Sequence, residues 1–144
     1  MKENLIKLFL RLSISLGFLS AVADRFGLWS PTLSVWGNWN NFLDYTQQIN
    51  PWFPAELISV TGAIATAAEI VFSFFLLIGL KTELFGRLSG VLLLFFALAM
   101  TFSTSLKGAL DYSVFTASAG AFALGAMKEK YLEVDSLIAK QKKS

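Results

Sequence analysis

Four apolar stretches, each close to the length that crosses a bilayer, constrain the fold of this chain more than any other feature. They cover about residues 4–28, 55–80, 84–106 and 109–127 of the 144-residue chain. A helix needs about 20 apolar residues to cross the hydrocarbon core. A mean hydropathy of +0.59 and a hydrophobic content of 55% agree with an integral membrane protein. We therefore predict an all-α, four-helix transmembrane domain over residues 1–128 and a basic cytoplasmic tail over residues 129–144.

The first stretch also has features of a secretory signal peptide. Lys2 and Lys7 precede an apolar run, and the small residues of Ala21–Ala23 come directly before Asp24. Arg11 interrupts the apolar run, which favours a first helix that is retained in the protein.

Basic residues are distributed unevenly between the segments that connect the stretches. With four spans, ten of the twelve Lys and Arg residues lie on the side of the two termini, and Arg25 and Lys107 lie on the other side. Cytoplasmic segments carry the excess of Lys and Arg in membrane proteins. The bias predicts a multi-pass protein of the inner (plasma) membrane with both termini in the cytoplasm, and a basic tail lying on the anionic lipid leaflet.

The extracytoplasmic loop between the first two stretches is rich in aromatic residues and contains all four tryptophans. Trp36, Trp39 and Leu43 share one face of a predicted short helix at the membrane interface, where Trp collects. Trp36 and Trp39 then form either a simple interfacial anchor or a lid over a ligand site. The water-facing side of this helix is predicted to carry Asn38, Asn41 and Asp44.

The absence of two residue types limits the chemistry. The chain has no Cys and no His, which excludes disulfides, thiol redox chemistry, iron–sulfur clusters, Cys-based zinc sites and the usual haem ligand. The sequence shows no self-contained catalytic or metal site, so a redox cofactor would be organic or belong to a partner. A net charge of +2 gives no reason to expect a nucleic-acid partner.

Small and polar residues recur at helical spacing in every stretch, and such residues let membrane helices pack closely. Together they predict a compact bundle. The first stretch has two predicted packing faces, one of Ser13, Gly17, Ser20 and Asp24 and another of Arg11, Ser15, Phe18, Val22 and Arg25. The faces of the other stretches are Gly62, Thr66, Glu69 and Ser73 in the second; Gly86, Gly90, Leu93, Ala97 and Thr101 in the third; and Thr116, Gly120 and Ala123 in the fourth.

Glu69 lies in the middle of the second stretch, where a charge costs about 2.5–3.5 kcal/mol on insertion scales. Because it shares a face with Gly62, Thr66 and Ser73, it is predicted to point into the bundle. Arg11 is the cation predicted to pair with it. The pair would either fix helix register or line a polar pocket that holds a ligand head group or relays a proton. A protonated Glu69 facing lipid is the third alternative.

A second group of charges is predicted at the outer end of the bundle. Asp24 and Arg25 end the first stretch, and Lys107 and Asp111 flank the turn between the third and fourth. These four residues are either solvated helix ends or a charged mouth beneath the Trp-rich loop.

Two segments, residues 11–27 and 54–90, resemble motifs of the DoxX family of small bacterial four-helix membrane proteins. The first motif is an Arg followed by a Gly and a small-residue run that ends in a basic residue. The second has a Pro near a helix start, a mid-span Glu, a Gly–Leu helix end, and a Thr with nearby basic residues. The matching residues are Arg11, Arg25, Pro54, Glu69, Gly79–Leu80, Thr82 and Arg87.

The resemblance implies an accessory membrane subunit of a quinone-linked oxidoreductase system, with a quinone as ligand and a redox protein as partner. The residues alone also allow a lipid or hydrophobic small-molecule binding protein with the Trp-rich loop as lid, or a non-enzymatic membrane scaffold. The lipid bilayer is a partner in each case, and the sequence leaves the oligomeric state open.

Overall fold

A computed structural model describes residues 2–141, except for the side chain of Lys140. About 77% of the described residues are helical and none lies in a strand, so the predicted all-α class is confirmed. Residues 142–144 of the predicted basic tail lie outside the described residues. The helices are α1 (Lys2–Arg25), α2 (Trp39–Ile49), α3 (Ala55–Ile78), α4 (Thr82–Ser103), α5 (Leu106–Asp111), α6 (Val114–Ala126) and α7 (Val134–Gln141).

Three helices, α1, α3 and α4, are long and apolar enough to cross a membrane. They correspond to the first three predicted stretches and indicate a membrane protein. Most of their surface carries exposed large hydrophobic side chains, as expected of helices solvated by lipid. The fourth stretch differs, because α6 has only 13 residues and extends about 20 Å at 1.5 Å per residue.

The fourth stretch is not one continuous helix from residue 109 to residue 127. α5 begins after Ser105, whose hydroxyl accepts a hydrogen bond from the Gly108 N–H. The chain then breaks before α6, where Ser113 adopts a left-handed conformation with φ of 56°. Polar residues in "DYS" at this point disfavour a continuous helix because their side chains compete for backbone hydrogen bonds.

α1 and α3 end in the same way, with a glycine in the left-handed conformation just beyond the last turn. Gly27 has φ of 68° and Gly79 has φ of 69°. At α3, the Leu80 N–H bonds to the Phe75 carbonyl at 2.9 Å, and the Gly79 N–H bonds to the Leu76 carbonyl at 3.2 Å. This paired arrangement satisfies carbonyls that would otherwise have no partner at the helix end.

The predicted small-residue faces of α3 and α4 are confirmed as packing faces. Gly62, Thr66, Glu69 and Ser73 are buried on α3, which packs along α1. Gly86 of α4 lies against Gly125 of α6, where an added Cβ would stand 2.8 Å from the Gly125 nitrogen. Glycine at these positions lets the two helices approach at backbone distance.

Of the two faces proposed for α1, the structure buries the one that contains Arg11. Its buried residues are Lys7, Arg11, Ser15, Phe18, Val22 and Arg25, together with Asp24 at the helix end. Ser13, Gly17 and Ser20 are exposed, so that face does not pack inside the bundle. In an isolated sequence the two faces carry similar small residues, and spacing alone does not choose between them.

The predicted face of the fourth stretch is wrong. Thr116 and Ala123 are exposed, and α6 instead buries Ser118, Ala121, Leu124 and Gly125. Small residues occur on every face of α6, so their spacing does not show which face packs against the other helices.

The bundle has two distinct ends. The start of α1, the turn from α3 to α4 and the chain after α6 meet at one end, which we call the tail end. The end of α1, the loop, α2 and the α4–α5 connection meet at the other, which we call the loop end. There α2 buries Phe42, Thr46 and Ile49 and exposes Asn41 and Asp44 on the side predicted to face water, and the exposed Asn38 caps its start. Trp36 precedes the helix, so the predicted helix face is wrong in including it.

Candidate functional site

Glu69 points into the bundle, as predicted, and is only 1% exposed. It lies on the α3 face that contacts α1, one turn from Thr66. The third alternative, a carboxyl group facing lipid, is therefore wrong.

The partner of Glu69 is Arg25, which reaches it from the last turn of α1. Arg25 Nη2 donates to Glu69 Oε1 at 2.9 Å, and Nη1 lies 2.6 Å from Oε2. The same Nη1 donates to the Thr66 hydroxyl at 2.7 Å. We call Arg25 and Glu69 the loop-end pair, in which one charge-assisted hydrogen bond and one close ionic contact join the guanidinium to the carboxylate.

The predicted Arg11–Glu69 pair is wrong. Arg11 Nε donates to the Leu76 carbonyl at 2.8 Å, and Nη2 donates to the Leu77 carbonyl at 2.9 Å. Leu76 lies seven residues after Glu69, which corresponds to about 10 Å along the helix. Arg11 therefore sits two turns away from the carboxylate and binds the end of α3 instead.

An aromatic cover encloses the Arg25 guanidinium from the loop side. The Arg25 Cζ atom lies 4.0 Å from the centre of the Phe42 ring and 5.4 Å from the centre of the Trp36 ring. Both distances are within the range of cation–π attraction. Gly62 makes room for this cover, because an added Cβ would stand 3.1 Å from Phe42 and 2.7 Å from Leu43. We call Trp36 and Phe42 the aromatic cover.

Two buried N–H groups in this cluster lack an acceptor among the described residues. They are Arg25 Nε, on a side chain that is 3% exposed, and Trp36 Nε1. Buried donors are normally satisfied by protein, water or ligand. The cluster therefore has free capacity to donate hydrogen bonds to an oxygen atom.

The two aromatic residues predicted to form a lid have different positions. Trp36 belongs to the aromatic cover, and it also packs on Tyr45 with ring centres 5.7 Å apart. Trp39 stacks on Phe26 at 6.1 Å, outside the ion pair. Burial, with a smaller contribution from Tyr112, raises the pKa of the Tyr45 hydroxyl above its ordinary value.

Asp24 is next to Arg25 in sequence but binds the loop instead of the ion pair. Its two carboxylate oxygens accept hydrogen bonds from the N–H groups of Val35, Trp36 and Gly37, and from the Ser34 hydroxyl. This set of contacts holds the loop segment that supplies Trp36.

Lys107 and Asp111 do not join Asp24 and Arg25. They pair with each other one turn apart on α5, with side chains that are 81% and 58% exposed. Among the described residues the four charges thus form two separate groups, one buried and one at the surface. The alternative of a single charged mouth is therefore wrong, and the alternative of solvated helix ends holds for Lys107 and Asp111 but not for Asp24 and Arg25.

Two grooves flank the loop-end pair. One, of about 480 Å³, is lined by Phe26, Trp39, Ala63, Thr66, Ala67 and Ile70. The other, of about 440 Å³, is lined by Gly17, Ser20, Ala21, Asp24, Trp29, Leu33, Val35 and Trp36. The first is bordered by Thr66, the second by Trp36, and each of these residues touches Arg25.

A second buried polar site lies at the tail end, where the sequence predicts none. Glu133, from the segment between α6 and α7, places Oε1 at 2.9 Å from Lys7 Nζ and 3.8 Å from Arg11 Nη1. Arg11 Nη1 also donates to the carbonyls of Tyr131 and Leu132. We call Lys7, Arg11 and Glu133 the tail clasp. The spacing of Lys7, Arg11 and Ser15 on one face of α1 is the signal for it, whereas nothing in the tail singles out Glu133 from other surface charges.

No group of three acidic, His or Cys side chains converges on a metal position within residues 2–141. Comparison with protein-family models, with curated proteins and with solved structures found no match to this chain. The resemblance to the DoxX family therefore stays a prediction from the motifs.

Proposed function

We propose that this chain is an accessory inner-membrane protein of the DoxX type that binds an apolar molecule bearing carbonyl oxygens, a quinone of a linked oxidoreductase system, at the loop end. The observation that supports this is the cluster around Arg25. It combines unpartnered buried N–H groups with neighbouring grooves of about 440 and 480 Å³. The oxidoreductase association and the redox partner protein come from the motif resemblance alone.

Quinones are apolar and need few polar contacts. The first groove has mostly apolar walls, and Thr66 and Trp39 are the lining residues with polar side-chain atoms. Because Arg25 donates to the Thr66 hydroxyl, the hydrogen of that hydroxyl remains free to point at a ligand carbonyl. Arg25 and Glu69 neutralise each other, so this arrangement binds an uncharged ligand without bringing a net charge into the site.

We also propose the finer membrane topology: four crossings, with α5 and α6 together forming the fourth, and both termini in the cytoplasm. The start of α1 and the tail lie at the same end of the bundle, joined by the tail clasp. That end carries most of the basic residues, in accord with the positive-inside rule.

Native mass spectrometry of the full chain, extracted from its membrane in gentle detergent, tests ligand binding. The wild-type protein is expected to carry a small apolar molecule with a quinone mass. Ala67→Phe should fill the first groove and remove the ligand, because Ala67 is exposed there and its replacement disturbs no buried contact. Ala119→Phe, at an exposed alanine of α6, is the matched control and should retain it.

A wild-type protein that carries no such molecule, or equal retention in both variants, would contradict the proposal. Retention of a phospholipid alone, lost in Ala67→Phe, would instead support a lipid-binding protein that uses the same groove.

A scaffold without a ligand is the second candidate, favoured by the ion pair of Glu69 with Arg25 inside the chain. It predicts that Ala67→Phe has no effect on any partner association. Co-purification of partner proteins with the Ala67→Phe and Ala119→Phe variants distinguishes the candidates.

A further inference from the structure

The tail clasp contains more positive than negative charge. Lys7 and Arg11 are each 1% exposed, and Glu133 is 4% exposed. Among the described residues, the Glu133 carboxylate is the one formal negative charge within 4.0 Å of either cation. Two buried cations therefore share one carboxylate oxygen. The Asp135 carboxylate, which accepts from the Thr82 N–H, also attracts Arg11, but less strongly than Glu133 does. The positive charge at the clasp is therefore only partly balanced by direct contact, which is costly in a buried site.

The remaining contacts of the two cations are carbonyl groups. Arg11 donates to four of them, two at the end of α3 and two in the tail. Lys7 donates to the Glu129 carbonyl. Carbonyl dipoles and the negative end of the α3 dipole satisfy hydrogen-bond donors but compensate only part of a full charge.

Glu133 belongs to a segment that is not helical and that contains a strained backbone conformation. Leu132 adopts φ of 49°, an unfavourable conformation for a leucine, and its side chain is 65% exposed. The Asp135 carboxylate accepts from the Thr82 N–H at 3.2 Å, and the Asp135 N–H donates to the Gly79 carbonyl at 3.1 Å. These contacts hold the segment in place, and its release would relieve the strain at Leu132.

The clasp lies at the level where α3 turns into α4. Arg11 binds the last carbonyls of α3, and Gly79 packs directly against Glu133, so that a Cβ added to Gly79 would stand 2.6 Å from the Glu133 Cα. The turn between two membrane-crossing helices lies at the interface with water, where lipid phosphates are found. A phosphate presents to ammonium and guanidinium groups the same kind of oxygen acceptors as a carboxylate, with an additional oxygen.

We propose that Lys7 and Arg11 form a binding site for a phosphate group at the tail end of the bundle, and that Glu133 of the chain's own tail occupies it in this structure. The phosphate comes from an anionic lipid headgroup or from free phosphate. Its binding displaces Glu133 and releases the segment before α7. This site is at the opposite end from the proposed quinone groove and does not depend on it.

The test is a titration of the purified full chain with phosphatidylglycerol, phosphatidylcholine or inorganic phosphate, read by native mass spectrometry. Glu133→Gln removes the internal competitor and is expected to raise phosphatidylglycerol retention about tenfold. Adding Lys7→Gln to that variant should return retention to the wild-type value or below. Glu129→Gln removes the same charge from the same segment, but at an exposed side chain, and should leave retention unchanged.

Retention of inorganic phosphate at millimolar concentration, in a protein that does not retain phosphatidylglycerol, identifies free phosphate as the ligand. Equal retention in Glu133→Gln and Glu129→Gln, or retention in Glu133→Gln that does not respond to Lys7→Gln, overturns the proposal.

A second measurement uses only the wild-type chain, in case Glu133→Gln fails to fold. Trypsin cleavage after Lys128 and Lys130 is followed in nanodiscs of phosphatidylcholine with increasing phosphatidylglycerol. The proposal expects cleavage to accelerate severalfold as the anionic fraction rises, because the segment is released. A cleavage rate that responds neither to the anionic fraction nor to added inorganic phosphate contradicts it.

Discussion

The loop-end pair and the tail clasp both bury an arginine of α1 against a carboxylate, but they differ in charge balance. Arg25 and Glu69 form a one-to-one pair between two long helices. In the clasp, two cations share Glu133, which arrives on a segment outside the long helices. A balanced pair joins two long helices to each other, whereas the clasp joins α1 to a segment of the tail, and this difference is the basis of the proposed phosphate site.

The largest effect is expected from breaking the balanced pair. Arg25→Met leaves the Glu69 carboxylate buried without its partner, which should destabilise the protein by about 3–5 kcal/mol. Thermal unfolding in detergent, followed by intrinsic fluorescence, measures this loss. Lys107→Met removes a basic residue at the surface of the same end and is the matched control. Equal unfolding temperatures for both variants would show that Arg25 does not neutralise Glu69.

A smaller effect is expected at the tail clasp. Arg11→Met leaves carbonyls at the end of α3 without their donor and should cost about 2–3 kcal/mol. Arg11→Lys should recover only part of this, since an ammonium group cannot reproduce the planar set of donors that meets four carbonyls. The unfolding temperatures of the two variants in detergent provide the measurement. A full recovery by lysine would mean that only the charge of Arg11 matters.

The contact between Gly79 and the tail gives the next effect. Gly79→Ala adds a Cβ 2.6 Å from the Glu133 Cα at a residue with φ of 69°, and should cost about 1–3 kcal/mol. Gly17→Ala is the control, because nothing lies within 4 Å of its added Cβ. It should destabilise the protein by less than about 0.5 kcal/mol. Proteolysis of the tail should accelerate in Gly79→Ala alone. Equal acceleration in both variants would show that the tail does not pack on Gly79.

The smallest effect is expected from the surface pair on α5. Lys107→Ala should destabilise the protein by no more than about 0.5 kcal/mol, because both side chains are largely exposed and water screens their attraction. Unfolding in detergent at low and high salt measures it. A loss comparable to that of Arg25→Met would mean that Lys107 takes part in a buried charge network after all.

Much of the helical arrangement could be predicted from periodicity. The three long apolar helices follow from the length of the apolar stretches. The inward direction of Glu69 and the packing faces of α3 and α4 follow from spacing on a helix. The water-facing side of α2 follows from the same rule. These features depend on residues within a single helix, where sequence distance determines spatial distance.

The partners of the buried charges could not be predicted in this way. Arg25 has the sequence position of a solvated helix end, because spacing does not show that α2 and the loop fold over it. Glu133 is separated from Lys7 by most of the chain. Which cation reaches Glu69 depends on how far α1 is shifted along α3, and this shift is set by packing between helices.

The most direct test of the ion-pair assignment is a pair of double-mutant cycles measured by unfolding in detergent. One cycle combines Arg25→Met with Glu69→Leu, and the other combines Arg11→Met with Glu69→Leu. We expect a coupling of about 2–3 kcal/mol between Arg25 and Glu69, and less than about 0.5 kcal/mol between Arg11 and Glu69. Strong coupling in the Arg11 cycle together with additive losses in the Arg25 cycle would contradict the assignment.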